Sequence, residues 1–115
     1  MTREFVLLPF FDSQWKALGL SDADLRRLQI ELLVNPKAGD VVEGTGGVRK
    51  LRFAFPGRGK SGSTRVIYID IVDVERLYLL TVYEKADKEN LTKSERNDLR
   101  QLVEALKQAA RRKKA

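Results

Sequence analysis

Residues 77–83 read LYLLTVY, an apolar run interrupted only by Thr81. The run is far shorter than the roughly 20 residues a membrane span needs. It lacks the polar-apolar alternation of a strand with one wet face, so it predicts a strand covered on both sides. A chain that contains it must fold into a sheet with this strand inside and apolar material packed above and below.

The rest of the sequence supplies that cover. Residues 3–8 form a short first strand limited by Pro9. Residues 10–18 place Phe11, Trp15 and Leu18 at helical spacing, and Gly19 ends that helix. Ser21 followed by Asp24 is a capping box, and Leu25, Leu28, Leu32 and Leu33 line one face of a second helix that Asn35 and Pro36 stop. The two helices predict a hairpin whose leucines and Trp15 pack on the sheet. Val41 and Val42 form a brief strand.

Residues 48–55 alternate Leu51, Phe53 and Phe55 with Lys50, Arg52 and Ala54, a strand with one apolar and one basic face. The loop at 56–63 carries Arg58 and Lys60. Residues 64–72 return as a strand with Arg65, Ile67, Ile69 and Ile71 on one face, and Asp73 marks the turn into 76–84. Thr92 with Glu95 is a second capping box, and Leu99, Leu102, Val103, Leu106 and Ala110 draw the apolar stripe of a terminal helix. The expected fold is α+β: one domain over 1–115, a small antiparallel sheet with a mixed edge, a helical hairpin on it and a C-terminal helix. Residues 111–115 are a basic tail, read either as a frayed terminus or as a polyanion contact.

The chain has no cysteine and no histidine, which removes disulfides, thiolate metal sites and the usual zinc and copper ligands. Carboxylate-bound magnesium stays open on composition alone, and no metal or cofactor is expected. No charged-then-apolar leader opens the chain, so a cytoplasmic location with no membrane association is expected. The formal net charge is +6 and is clustered: residues 41–72 hold 6 Lys and Arg against 2 Asp and Glu, and residues 91–115 hold 8 against 3. Clustered positive charge of this kind predicts a polyanionic partner.

In the last strand, residue parity assigns Tyr83 and Lys85 to the face of Leu77, Leu79 and Thr81, and a hairpin turning near Asp73 brings Arg65 opposite them. Lys50, Arg52, Arg65, Tyr83 and Lys85 then converge. Two arginines can offer paired N–H donors to a phosphate, and lysines add point charges. Cations close to Tyr83 would favour its phenolate, making it the best proton acceptor available. RNA suits such residues, because its 2'-hydroxyl is a built-in nucleophile and the protein need only align it and neutralise charge.

The segments GVRKLRF at 47–53, GKSGSTRVIY at 59–68 and VYEKADKENLT at 82–92 resemble the RelE/HigB group of toxins from bacterial toxin-antitoxin pairs, most of all its HigB branch. The resemblance spans nearly the whole chain. It implies a ribosome-dependent, metal-independent endoribonuclease that cuts translated mRNA and is silenced by a cognate antitoxin of helix-turn-helix type. Operator DNA would be met only through the antitoxin complex.

By position it implies catalytic roles for Lys50, Arg52, Arg65, Tyr83 and Lys85, with Arg49, Arg58, Lys60 and Lys88 touching RNA or ribosome. Thr64 departs from the group, whose members often carry an aromatic before the arginine. The same fold group includes ParE-like proteins that act on DNA gyrase, and a non-catalytic RNA- or ribosome-binding module would use the same basic surface. Fold alone does not separate these.

Overall fold

The computed structural model describes residues 2–54, 64–88 and 90–114. The elements in order are β1 (Glu4–Leu7), α1 (Pro9–Ala17), α2 (Asp22–Val34), β2 (Asp40–Val41), β3 (Arg49–Phe53), β4 (Thr64–Ile71), a 3-10 turn (Val72–Val74), β5 (Arg76–Glu84) and α3 (Lys93–Lys114). They build one five-stranded sheet in the order β1-β5-β4-β3-β2, with β1 parallel to β5 and every other pair antiparallel. The expected α+β sheet with a mixed edge is what forms. Among the described residues no helix is long and apolar enough to cross a membrane.

Local chemistry sets the element ends. Pro9 opens α1, where its missing N–H costs nothing because the first helical amides lack partners anyway. Gly19, at φ 74°, ends the turn between the helices. Ser21 Oγ accepts the Asp24 N–H at 3.1 Å, while Asp24 Oδ2 accepts the Ser21 N–H at 2.9 Å. Thr92 and Glu95 repeat the device at the start of α3, at 3.1 and 2.8 Å.

Strand alternation then sorts the core into two layers. On one face Phe11, Trp15, Leu28 and Leu32 of the helical pair meet Leu51, Phe53, Val66, Tyr68, Leu77, Leu79 and Val82. On the other, Val103 and Ala110 of α3 meet Val48, Ile67, Ile69, Ile71, Tyr78 and Leu80. The 77–83 run is therefore covered on both sides, as its composition requires. Each fully buried Leu or Ile contributes about 1.5–3 kcal/mol relative to exposure.

β5 departs from simple alternation at one point. Tyr68 pairs with Leu79, yet Ile67 pairs with Thr81, so Leu80 is an extra residue, a β-bulge. One inserted residue turns every later side chain to the opposite face. Tyr83 accordingly packs on the α3 layer, whereas unbroken parity assigns it to the face of Leu77 and Leu79. That expectation is corrected by the bulge.

Polar ties hold the sheet's margins. Arg3 grips Asp70 through two hydrogen bonds, at 2.7 and 3.1 Å, which fastens the N-terminus beneath β4. The buried Tyr68 hydroxyl donates to Pro36 O at 2.7 Å and accepts the Gly39 N–H at 3.0 Å, so the loop after α2 is drawn onto the sheet. Burial pushes the Tyr68 pKa up, outweighing the Gly39 hydrogen bond and the nearby Arg49. A Cβ on Gly39 would stand 2.9 Å from Lys50 O, so this close approach of β3 requires glycine.

Candidate functional site

β3, β4 and β5 carry the candidate side chains in register. Arg52 pairs with Arg65 and Arg65 pairs with Tyr83, so the three form a row across the sheet on the α3 face, near one end of the strands. Lys50 lies one step along, opposite Ile67, about 6.6 Å from Arg52 at a strand rise of about 3.3 Å per residue. Arg52 is exposed, Lys50 half-buried and Arg65 only 5% exposed. Directly opposed like charges in a sheet disfavour folding by several tenths of a kcal/mol.

Tyr83 joins the row only because of the Leu80 bulge. Its hydroxyl is buried and has no hydrogen-bond partner among the described residues. Burial pushes its pKa above the usual 10.0; Arg65 pulls it down and Glu95 raises it further, and burial prevails. The expectation of a phenolate is therefore corrected: near neutral pH Tyr83 is a neutral donor. An unsatisfied buried O–H is costly unless something else satisfies it, and an oxygen of an anion held by Arg65 would do so.

Lys88 is partly exposed but tethered. Its ammonium pairs with the Glu95 carboxylate and stands 5.4 Å from the centre of the Tyr83 ring, a cation-π contact. Lys88 hydrogen bonding and the Thr92 N–H both depress the Glu95 pKa below 4.5. One carboxylate thus caps α3, fixes Lys88 and influences Tyr83.

The remaining predicted residues fall elsewhere. Lys85 follows the end of β5 in the turn at 85–87 and is exposed, one residue beyond the last β4–β5 pair, Thr64 with Glu84. Arg49 pairs with Tyr68, on the opposite face from Lys50, and its Nη1 donates to Gly39 O at 2.7 Å and Lys37 O at 3.4 Å. Arg58 and Lys60 lie outside the described residues.

One cation escaped the sequence reading. Arg96 of α3 faces Lys50 across a cleft of about 420 Å³, whose lining also includes Asp40, Val41, Val42, Asn90 and Leu91. The spacing of Arg96 to Leu99 and Val103 puts it on the sheet-facing stripe of α3, and that periodicity could have found it. Leu91 also lines a second cleft, of about 250 Å³, with Tyr83, Lys88 and Glu95. Leu91 is therefore a wall common to both spaces.

The family model described as "RelE toxin of RelE / RelB toxin-antitoxin system" matches residues 11–114 of the chain. Among solved structures, an E. coli toxin RelE double mutant in the free state superposes with a TM-score of 0.55 at 17% identity, covering 77% of this chain and 90% of that one. The toxin in the intact E. coli RelBE toxin-antitoxin complex gives a TM-score of 0.52 at 16% identity, over 72% and 96% of the two chains. The same double mutant bound to an antitoxin RelB peptide gives 0.52 at 15%, over 81% and 98%. These likenesses concern the fold.

Proposed function

This chain belongs to the RelE toxin family, and on that premise we propose that it is the toxin of a toxin-antitoxin pair that cuts messenger RNA on the ribosome. The row Arg52–Arg65–Tyr83 carries the reading: three neighbouring strands bring two arginines and one neutral tyrosine into register on one face. Arg65 and Arg52 hold the non-bridging oxygens of the scissile phosphate by paired N–H donors, and Lys50 adds charge beside them.

The 2'-oxygen of the RNA attacks phosphorus as its proton passes to water, and the bond from phosphorus to the 5'-oxygen breaks, giving a 2',3'-cyclic phosphate and a 5'-hydroxyl that takes its proton from water. Tyr83, protonated, donates its hydrogen bond to the reacting phosphoryl group, and Lys85 at the strand end supports the charge of the leaving strand. No metal is needed in this scheme. The ribosome supplies the alignment of 2'-oxygen and phosphorus, and the positive charges of Arg49, Arg58, Lys60 and Lys88 supply long-range attraction.

A cognate antitoxin, of helix-turn-helix type by the resemblance to the HigB branch, holds the toxin inactive and carries the complex to operator DNA. The site of action is the cytoplasm. ParE-like action on gyrase has no comparable need for cations and a hydroxyl aimed at one phosphate.

Cleavage of mRNA on programmed ribosomes tests the proposal, with product ends mapped for the wild type, Arg65→Lys and Arg52→Ala. Arg65→Lys keeps charge and loses the paired donors, so we expect cleavage to drop on the order of a hundredfold. Undiminished cleavage in both variants would sink the site assignment. Intact message together with DNA damage after induction would transfer the protein to the gyrase class.

A further inference from the structure

The cleft between β2 and the start of α3 is built like a nucleotide site. Its volume, about 420 Å³, is within the range of small-ligand pockets. Val42, half-buried after the edge strand and on the Asp40 side of it by parity, and Leu91 offer apolar surfaces for a flat ring. Lys50 and Arg96 supply two cations, and among the described residues neither is ion-paired. Asp40 and Asn90 add one acceptor-only group and one group that both donates and accepts, the complement of a base edge.

Both walls are fixed before any ligand arrives. On the β2 side the buried Thr45 hydroxyl donates to Val42 O at 2.6 Å and accepts the Val48 N–H at 3.1 Å, while Val42 N–H donates to Val48 O at 2.8 Å. On the α3 side the Thr92–Glu95 capping box sets the position of Leu91 and Arg96. A pocket with preset walls loses little freedom on binding.

We infer that this cleft is a base-reading subsite: it takes one nucleotide of single-stranded RNA adjoining the scissile phosphate, with the base between Val42 and Leu91 and its phosphate on Lys50 and Arg96. Lys50 belongs both to the cleft and to the cationic strand that holds Arg52, and this shared residue joins the two sites. Asp40 accepts from exocyclic amino groups, so bases that carry one are favoured over uracil, which has none. The inference rests on the RNA-cutting reading for its place in a reaction, but the cleft's affinity for nucleotides is independent of cleavage.

The test uses the full chain, purified, titrated with each of the four ribonucleoside 5'-monophosphates and with inorganic phosphate, and followed by amide chemical shifts. We expect saturable changes at Val42, Asn90, Leu91 and Arg96, with uridine monophosphate weakest. Arg96→Gln should weaken all four by at least about fivefold, and Asp40→Asn should alter their ranking. Val42→Asp should abolish binding, with its fold checked by circular dichroism, while Val41→Asp, on the opposite face of the strand, should leave binding intact.

Equal responses to inorganic phosphate and to nucleotides would reduce the cleft to an anion site and overturn base reading, as would an absence of shifts at these residues. Ribosomal cleavage by Arg96→Gln with unchanged rate and unchanged base preference would overturn the subsite while leaving the nuclease intact. Nucleotide binding here without any ribosomal cleavage by the wild type would do the reverse.

Discussion

Replacing Tyr83 by Phe separates structure from function, because the two predict opposite signs. The hydroxyl is buried without a hydrogen-bond partner among the described residues. Leaving a hydroxyl in that condition costs about 1–3 kcal/mol. The ring as a whole is only half-buried, so the lower end applies and removing the oxygen should stabilise the fold by about 1 kcal/mol. For a chain of 115 residues that is a rise in Tm of about 2–7 °C, read by thermal unfolding in circular dichroism.

The same variant should lose at least about tenfold in ribosomal cleavage, the order expected for one hydrogen-bond donor that acts in the transition state. Alkaline pH gives a second signature. The folded pKa of Tyr83 lies above its ordinary 10.0, so its protonated form is favoured in the folded state. Stability is unaffected below that ordinary value and falls as pH rises from it toward the folded value, while the unfolded chain ionises first. Tyr83→Phe lacks this part of the alkaline loss; Tyr68, also raised, contributes its own part in both proteins. A lower Tm in the variant would mean that the hydroxyl is bonded and would refute the reasoning, and unchanged cleavage would remove Tyr83 from the chemistry.

Other perturbations reach the frame of the site. Thr92→Ala removes the cap of α3 and should cost about 1 kcal/mol by denaturant unfolding, with cleavage reduced because Leu91 and Lys88 lose their support. Glu95 has a folded pKa below 4.5, so its contribution is complete above that value and disappears as pH falls through the lowered one; Glu95→Gln should therefore flatten the acid limb of a stability-pH curve. Gly39→Ala places a Cβ 2.9 Å from Lys50 O and 3.0 Å from Tyr68 Cε1, and should cost about 1–3 kcal/mol and weaken cleavage through Lys50. Leu28→Ala, at a position with no exposure, should cost about 2–5 kcal/mol with the cleavage specificity of the folded fraction unchanged.

Much of this molecule was legible before any coordinates. The continuous run at 77–83 demanded a doubly covered strand, and β5 is one. The Ser21–Asp24 and Thr92–Glu95 boxes marked two helix starts because capping is a local exchange of hydrogen bonds, complete within four residues. Alternation on β3 separated Leu51 and Phe53 from Lys50 and Arg52 for the same reason: strand geometry repeats every two residues whatever surrounds it. The hairpin turning near Asp73 brought Arg65 close to Tyr83, but their pairing needs the extra residue: the Ile71–Arg76 register, continued unbroken, sets Arg65 opposite Val82.

What the sequence could not settle depends on packing between segments far apart in the chain. The bulge at Leu80 arises where β5 must satisfy helices on one face and α3 on the other; adjacent Leu79 and Leu80 both find apolar layers, and nothing local says which of them is the extra residue. That one residue decides the face of Tyr83. Its protonation was likewise a tertiary matter, because nearby cations and burial push a phenol in opposite directions, and only the structure shows burial prevailing. Lys88 and Arg96 look alike as surface cations in the sequence; the fold locks one onto Glu95 and aims the other at Lys50.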